Sequence, residues 1–252
     1  MTTSIPAIIA HRGASHDAPE NTLAAFNLAW QQGADGIEGD FRLTDDGRIV
    51  CIHDETVRGV DGQVLVVAES TLAQLRELDT ASGRGPEESI PTLAEVLAAI
   101  PDHKRIFIEI KCGPKIIAPL KETLTGAGLR PEQILVLSFH REVIAASKRQ
   151  LPRLKALWLA VRKKRWGTNA WHPAQQEILS TLQKIKADGL STDVVSLRDD
   201  QFAREIRRAR MELHVWTVDD LATAEYFLEL GVDSLTTNRP GWLRRQTHVS
   251  GR

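Results

Sequence analysis

The chain has 252 residues, of which 42% are hydrophobic and 26% charged, with a formal net charge of −1. That length supports one large domain with an ample core, and the balanced charge excludes a general nucleic-acid binder, which needs a basic surplus. Only Cys51 and Cys112 are present, which excludes a disulfide scaffold and reads as two free thiols. No run reaches the roughly 18 apolar residues of a membrane span, so no stable membrane insertion is expected. Met1–Ala10 lacks the basic start and long apolar run of a signal peptide, making the cytoplasm the default location.

Strand-like runs alternate with helical patterns along the chain. Ile5–Ala10 is the first predicted strand, and Asn21–Gln32 the first helix, opened by a capping Asn21 or Thr22 and with Leu23, Phe26 and Trp30 at helical spacing. Gly36–Leu43 and Arg48–His53 are strands joined by Thr44–Asp45–Asp46–Gly47, whose Asp–Gly signals a hairpin, so only one of the two is a full barrel strand. Asp54–Ser89 breaks the rhythm. It is rich in Gly, Glu and Asp, carries one short helical pattern at Leu72–Leu78, and reads as an insertion over a barrel mouth. Then come a helix at Thr92–Ile100, a strand at Arg105–Lys111 and a helix at Ile116–Leu124. Ile134–Phe139, Leu154–Ala160, Gly189–Thr192, His214–Val218 and Ser234–Thr237 follow as strands. The helices among them are Arg141–Gln150, Ala174–Lys186, Gln201–Arg210 and Leu221–Leu230. Repeated β–α units imply a parallel sheet, and about eight of them in a chain of this size suit an α/β fold of the (β/α)₈ TIM-barrel type. An open Rossmann-like sheet is the alternative. Residues 1–252 thus read as a single barrel domain, with 54–89 inserted within it.

Three acids stand on these strands. Glu38 and Asp40, two apart, point to one face of their strand, and Glu109 sits among Ile106, Phe107, Ile108 and Ile110. Acids among core residues are costly unless paired or metal-bound. Their hard oxygens suit one divalent cation, Mg²⁺ or Ca²⁺, over zinc, and pairing with Arg or Lys is the alternative. Two strand-like runs end in histidine, at His11 and His53. If the strand ends meet, an acid cage lies beside two histidines, Arg12 and Lys111, a set suited to metal-assisted chemistry on a phosphate ester. One histidine would accept a proton while the other donates. Arg12 and Lys111 would hold nonbridging phosphate oxygens, or serve only as partners of the acids.

The chain resembles the glycerophosphodiester phosphodiesterases, which belong to the phospholipase-C-like phosphodiesterase barrels. The matching stretches are His11–Arg12–Gly13, Pro19–Glu20–Asn21–Thr22, Gly33–Ala34–Asp35, Glu38-x-Asp40 and His53–Asp54. Next come Ile90–Pro91–Thr92–Leu93, Glu109–Ile110–Lys111, Ser138–Phe139 and Trp216–Thr217–Val218–Asp219. Gly231–Val232–Asp233 and Thr237–Asn238–Arg239–Pro240 complete the set, in order over nearly the whole chain. The resemblance implies that Glu38, Asp40 and Glu109 are the metal ligands and that His11 and His53 are the acid/base pair. It implies hydrolysis of a small glycerophosphodiester to sn-glycerol 3-phosphate and an alcohol. A lysophospholipase D-type enzyme and a noncatalytic phosphodiester-binding barrel are the rival readings.

Other residues stay open. Glu20 either orients a histidine or Arg12, or favours a helix N-terminus. Trp216 either walls the glycerol or alcohol pocket or packs the core. Arg58 stands where family members usually carry an Arg-Thr-Thr element, which leaves its role in doubt. Gly39 replaces a bulkier residue, with its side facing away from the site. The loop Val161–Pro173 carries Trp166, Trp171 and four basic residues, and reads as a solvated loop with one Trp tucked into the barrel, or as a contact for a membrane surface or a polar substrate group. Homo-oligomerisation is left open.

Overall fold

Eight strands form the barrel: β1 (Ala7–His11), β2 (Gly36–Leu43), β3 (Arg105–Ile110), β4 (Ile134–Ser138), β5 (Lys155–Leu159), β6 (Gly189–Asp193), β7 (Glu212–Trp216) and β8 (Ser234–Thr237). Each pairs in parallel with the next, and β8 pairs back onto β1, so the sheet closes. This is a computed structural model, and it describes residues 6–80, 89–164, 167, 171–197 and 200–250. Ile5, Arg165, Trp166 and insertion residues 81–88 lie outside the described residues. No helix among the described residues is long and apolar enough to cross a membrane.

The strand period explains the two apolar layers. In β1, Ile9 points into the barrel, while Ile8 and Ala10 join the layer under the helices. In β3, Phe107 points inward, and Ile106, Ile108 and Ile110 point outward. Strands buried on both faces read as near-continuous apolar runs, as these do. Ile9, Phe107, Leu135, Leu137, Leu157 and Leu159 fill the barrel interior. Glu38, Asp40 and Glu109 take inward positions toward the C-terminal ends of β2 and β3.

The outer ring is α1 (Leu23–Gln31), α2 (Leu93–Ala98), α3 (Ile117–Thr125), α4 (Arg141–Gln150), α5 (Gln175–Lys184), α6 (Asp200–Arg208), α7 (Leu221–Leu230) and α8 (Pro240–Ser250). Thr22 caps α1 by accepting the Ala25 N–H at 3.1 Å, so Asn21 is not the cap. Thr92 and Glu95 form a reciprocal capping box on α2. α8 has no counterpart among the predicted elements. Pro240–Gly241 reads locally as a turn, but proline fits the first helical position because its missing N–H would be unpaired there anyway.

The hairpin forms as predicted: Ile49–Cys51 runs antiparallel to β2, with Gly47 at a φ of 74° in the turn. The strand is shorter than Arg48–His53, so His53 sits beyond its end. β7 starts two residues before the predicted strand, because Glu212 and Leu213 pair with Gly189 and Leu190 of β6. The inserted segment folds into a second hairpin, Thr56–Arg58 with Val64–Val66, and a helix, Leu72–Thr80. Val57, Val67, Leu75 and Leu78 pack there on Val50 and Ile90.

Candidate active site

The C-terminal ends of the strands bring the three acids together. Glu38 and Asp40 are inward on β2, Glu109 is inward on β3, and Asp40 pairs in register with Glu109. Ligand oxygens of all three lie within 4.8 Å of one another. Gly39, between the β2 acids, faces outward: a Cβ there would lie 3.2 Å from Cys51 Sγ and from Phe26, in the layer under α1.

The turn after β1 supplies the first cation. Arg12 and Gly13 have φ of 56° and 83°, which reverses the chain at the strand end. A Cβ on Gly13 would lie 2.6 Å from the Ala25 carbonyl carbon, so only glycine fits. The Arg12 backbone N–H donates to Glu38 Oε2 at 3.0 Å, and its Nη1 donates to Glu20 Oε1 at 2.9 Å. Of the two readings of Glu20, the structure thus pairs it with Arg12. Arg12 Nε lies 2.9 Å from Asp40 Oδ2 as an ion pair whose N–H is not aimed at the oxygen, so no hydrogen bond forms. Asn21, itself at a φ of 59°, clamps Asp40: its Nδ2 donates to Oδ2 at 2.9 Å and its Oδ1 accepts the Asp40 N–H at 3.1 Å. Lys111 Nζ donates to Glu109 Oε1 at 2.7 Å and stands 3.4 Å from Asp40 Oδ1.

These cations do not satisfy the cluster. Glu38 Oε1 and Asp40 Oδ1 are buried and accept no hydrogen bond among the described residues. Burial, then the charges of Asp40 and Glu109, push the Glu38 carboxyl well above the ordinary carboxylate range. Glu109 is raised too, by burial and Asp40, with Lys111 opposing. Burial works against the Lys111 charge, yet Glu109 and Asp40 outweigh it and hold its pKa above the usual value. A cluster of hard oxygens, mutually repelling and with two buried acceptors that receive no hydrogen bond among the described residues, fits a divalent oxygen-liganded cation.

Both predicted histidines border this cluster by sequence register and chain direction. His11 ends β1 opposite Glu38, and its Nδ1 is 2.7 Å from Asn238 Oδ1. Burial lowers the His11 pKa, with the Asn238 hydrogen bond only partly offsetting it. His53 follows the hairpin strand, with Nδ1 2.8 Å from Asp54 Oδ1 and its backbone carbonyl accepting from Arg42 Nε at 3.0 Å. A cleft of about 240 Å³ is bounded by Glu20, Asn21, His53, Asp54 and Arg58. Arg58 therefore reaches the cleft beside His53.

Trp216 is partly buried. It ends β7 and packs on the interior cluster, while its ring meets exposed Phe139 edge to face at 6.0 Å and 86°. Its buried Nε1 makes no hydrogen bond among the described residues. Lys111 Nζ lies 5.9 Å from the Phe139 ring centre. In the loop of residues 161–173, Trp171 is stacked by its own neighbours, Arg162 at 5.5 Å and Lys164 at 5.6 Å. Sequence reasoning gave no role to Asp54, Asp219 or Asn238, though each lay in a matching motif, and it offered Asn21 only as one of two candidate caps.

A family model, described as the glycerophosphoryl diester phosphodiesterase family, matches residues 11–242. A glycerophosphodiester phosphodiesterase of Caldanaerobacter subterraneus is 32% identical over 92% of this chain and 94% of its own. One of Bacillus subtilis is 31% identical over 92% of this chain and 83% of its own. Among solved structures, a phosphodiesterase of Oleispira antarctica in complex with the product sn-glycerol-3-phosphate superposes with a TM-score of 0.81, at 27% identity over 97% of each chain. A match that begins at His11, ends in α8 and takes in every strand-end acid assigns the protein: it belongs to the glycerophosphoryl diester phosphodiesterase family and is an enzyme of the phosphodiesterase class.

Proposed function

We propose that the chain hydrolyses small glycerophosphodiesters to sn-glycerol 3-phosphate and an alcohol, in a reaction that requires one divalent cation, Mg²⁺ or Ca²⁺. One observation carries the reading: three inward carboxylates converge at the barrel mouth, and two of their buried oxygens accept no hydrogen bond among the described residues. Glu38, Asp40 and Glu109 would hold the ion. When bound it supplies Lewis-acid polarisation of the phosphoryl group.

The protein groups divide the remaining work. Arg12 and Lys111, already drawn to the acids, bind the nonbridging phosphate oxygens; Arg12 is held for this by Glu20. His11 donates its Nδ1–H to a neutral amide, which leaves Nε2 free, so it takes the proton of the attacking oxygen. His53, oriented by the Asp54 carboxylate at Nδ1, delivers a proton to the leaving alkoxide. Trp216 and Phe139 wall the pocket. A noncatalytic binder has no use for two histidines so differently partnered.

The substrate is a water-soluble, deacylated diester. The insertion, residues 54–89, contains no Phe, Trp or Tyr to form an acyl-chain slot. One observation favours a lipid instead: Phe139, 43% exposed, offers an apolar edge beside Trp216. Parallel kcat/KM measurements on glycerophosphocholine, glycerophosphoethanolamine and lysophosphatidylcholine separate the two. We expect glycerol 3-phosphate from the first two and a clear preference over the lysolipid. A preference for lysophosphatidylcholine that is lost in Phe139→Ala would overturn the assignment in favour of the lipid enzyme.

A further inference from the structure

We propose that Asp219 and Asn238 are positioning residues that lock the His11 ring in the tautomer proton transfer requires. The inference rests on the reading of His11 as the proton acceptor. Asp219 lies beyond β7 and Asn238 just beyond β8, and both belong to sequence motifs to which the reaction gives no other task. The Asp219 carboxylate collects three donors: Thr237 Oγ1 at 2.8 Å, the Asn238 N–H at 2.8 Å and Asn238 Nδ2 at 2.6 Å. An ionised carboxylate only accepts, so the Asn238 side-chain NH₂ has to face it. The amide oxygen then faces the other way, toward His11 Nδ1 at 2.7 Å and the Ser15 hydroxyl at 2.9 Å. An amide oxygen also only accepts. The His11 proton is therefore on Nδ1, and Nε2 keeps its lone pair.

The two histidines are thus oriented by different means. His53 meets the Asp54 carboxylate directly. His11 meets a neutral amide that a carboxylate has turned the right way. Asp219 fixes the direction of the hydrogen bond without placing its charge against the ring. The loop after His11 is tied to the same residue, since the His16 N–H donates to the Asn238 backbone carbonyl at 3.1 Å.

Asp219→Asn tests the direction of this chain. The new amide presents donors where the carboxylate only accepted. Asn238 is expected to turn over, show its NH₂ to His11 and force the ring proton onto Nε2. The experiment uses metal-loaded, ¹⁵N-histidine-labelled protein, with imidazole ¹⁵N shifts read by NMR and steady-state kinetics on glycerophosphocholine. We expect the Nδ1–H form in the parent and the Nε2–H form in Asp219→Asn. We also expect kcat to fall by about 10²-fold or more, the scale of a lost general base, with KM within about twofold. Asn238→Ala, which removes the acceptor, should mix the tautomers and lower kcat in the same direction, and it stands in if Asp219→Asn does not fold. Folded variants that keep the parent's kcat, or the parent's His11 tautomer, would overturn the inference. His11→Ala, run alongside, keeps two failures apart. Retained activity there removes His11 from the reaction while the NMR still decides the tautomer. Lost activity there, with parent kcat in the other two variants, refutes the positioning role alone.

Discussion

Burial and the charges of Asp40 and Glu109 push the Glu38 carboxyl above its ordinary range, so holding it ionised costs folding free energy in metal-free protein. The sign follows from linkage: a carboxyl raised on folding destabilises the native state as pH rises through its folded pKa. Glu38→Gln removes that charge. We expect the metal-free variant to melt a few degrees above metal-free wild type, since ~1 kcal/mol moves Tm by about 2–4 °C in a chain of this size. The gain should reverse on adding metal. Wild type gains about 2.7 kcal/mol when the ion is 100-fold above its Kd, and the variant gains far less. Calorimetric scans with and without Mg²⁺ or Ca²⁺ check this, and a parallel metal shift in both proteins would refute ligation by Glu38. At the same scale, His11→Ala and His53→Ala should each lower kcat by about 10²–10⁴-fold while folding normally, because His11 ends its strand and His53 lies beyond its own. Stopped assays on the two purified variants decide it, and wild-type kcat in either would strike that residue from the acid/base pair.

The elements that aim these residues differ in how legible they were. Alternation alone placed Glu38 and Asp40 on one face of β2 with Ile37 and Phe41 on the other, and it did the same for Glu109 among the β3 isoleucines. The Asp46–Gly47 turn likewise announced its hairpin. What stayed hidden depends on contacts distant in sequence. His11 and Asn238 meet across 227 residues, and Asn21 reaches Asp40 only because Arg12 and Gly13 reverse the chain. No local pattern carries such pairings, and α8 was masked by a Pro–Gly that also opens turns. The reversal itself is testable. Gly13→Ala must fit a Cβ 2.6 Å from backbone at a φ of 83°, whereas a Cβ on Gly47, at 74°, meets nothing within 4 Å. Gly47→Ala should cost about 1–2 kcal/mol for the left-handed backbone alone. Gly13→Ala should cost more, and should lower activity by displacing Arg12. Urea unfolding of both variants makes the comparison, and equal losses would show that the turn is not braced against α1.

Across the whole molecule, the chemistry and the acid resistance lie at opposite ends of the barrel. The site occupies the C-terminal strand ends, while Lys155, Glu212 and His214 cluster near the N-terminal ends of β5 and β7. Burial would raise the Glu212 carboxyl, but hydrogen bonds from His214 and Lys155 outweigh it and pull it from 4.5 to about 2. A depressed carboxyl stabilises the fold above its unfolded pKa, and that contribution is lost as pH falls from 4.5 toward 2. With the side chain 27% exposed and partly screened, the contribution near pH 7 is about 1–3 kcal/mol. Glu212→Gln should therefore be less stable at pH 7, and the gap to wild type should shrink to about half by pH 3. A gap that stayed constant with pH in denaturant titrations would remove Glu212 from the account of acid stability. Its kcat at pH 7 should match wild type, since Lys155 and His214, the partners of Glu212, lie away from the acid cluster.

In the proposed reaction the three carboxylates hold a cation without which the diester is not cleaved. Protein stripped of metal, verified by elemental analysis, is assayed for glycerol 3-phosphate release from glycerophosphocholine and then titrated with Mg²⁺ or Ca²⁺, with Glu38→Gln in parallel. We expect no turnover in chelator, recovery on adding one equivalent or more of the effective ion, and no recovery in Glu38→Gln at the same concentration. Undiminished turnover by the verified metal-free protein in excess chelator would contradict the requirement for a cation.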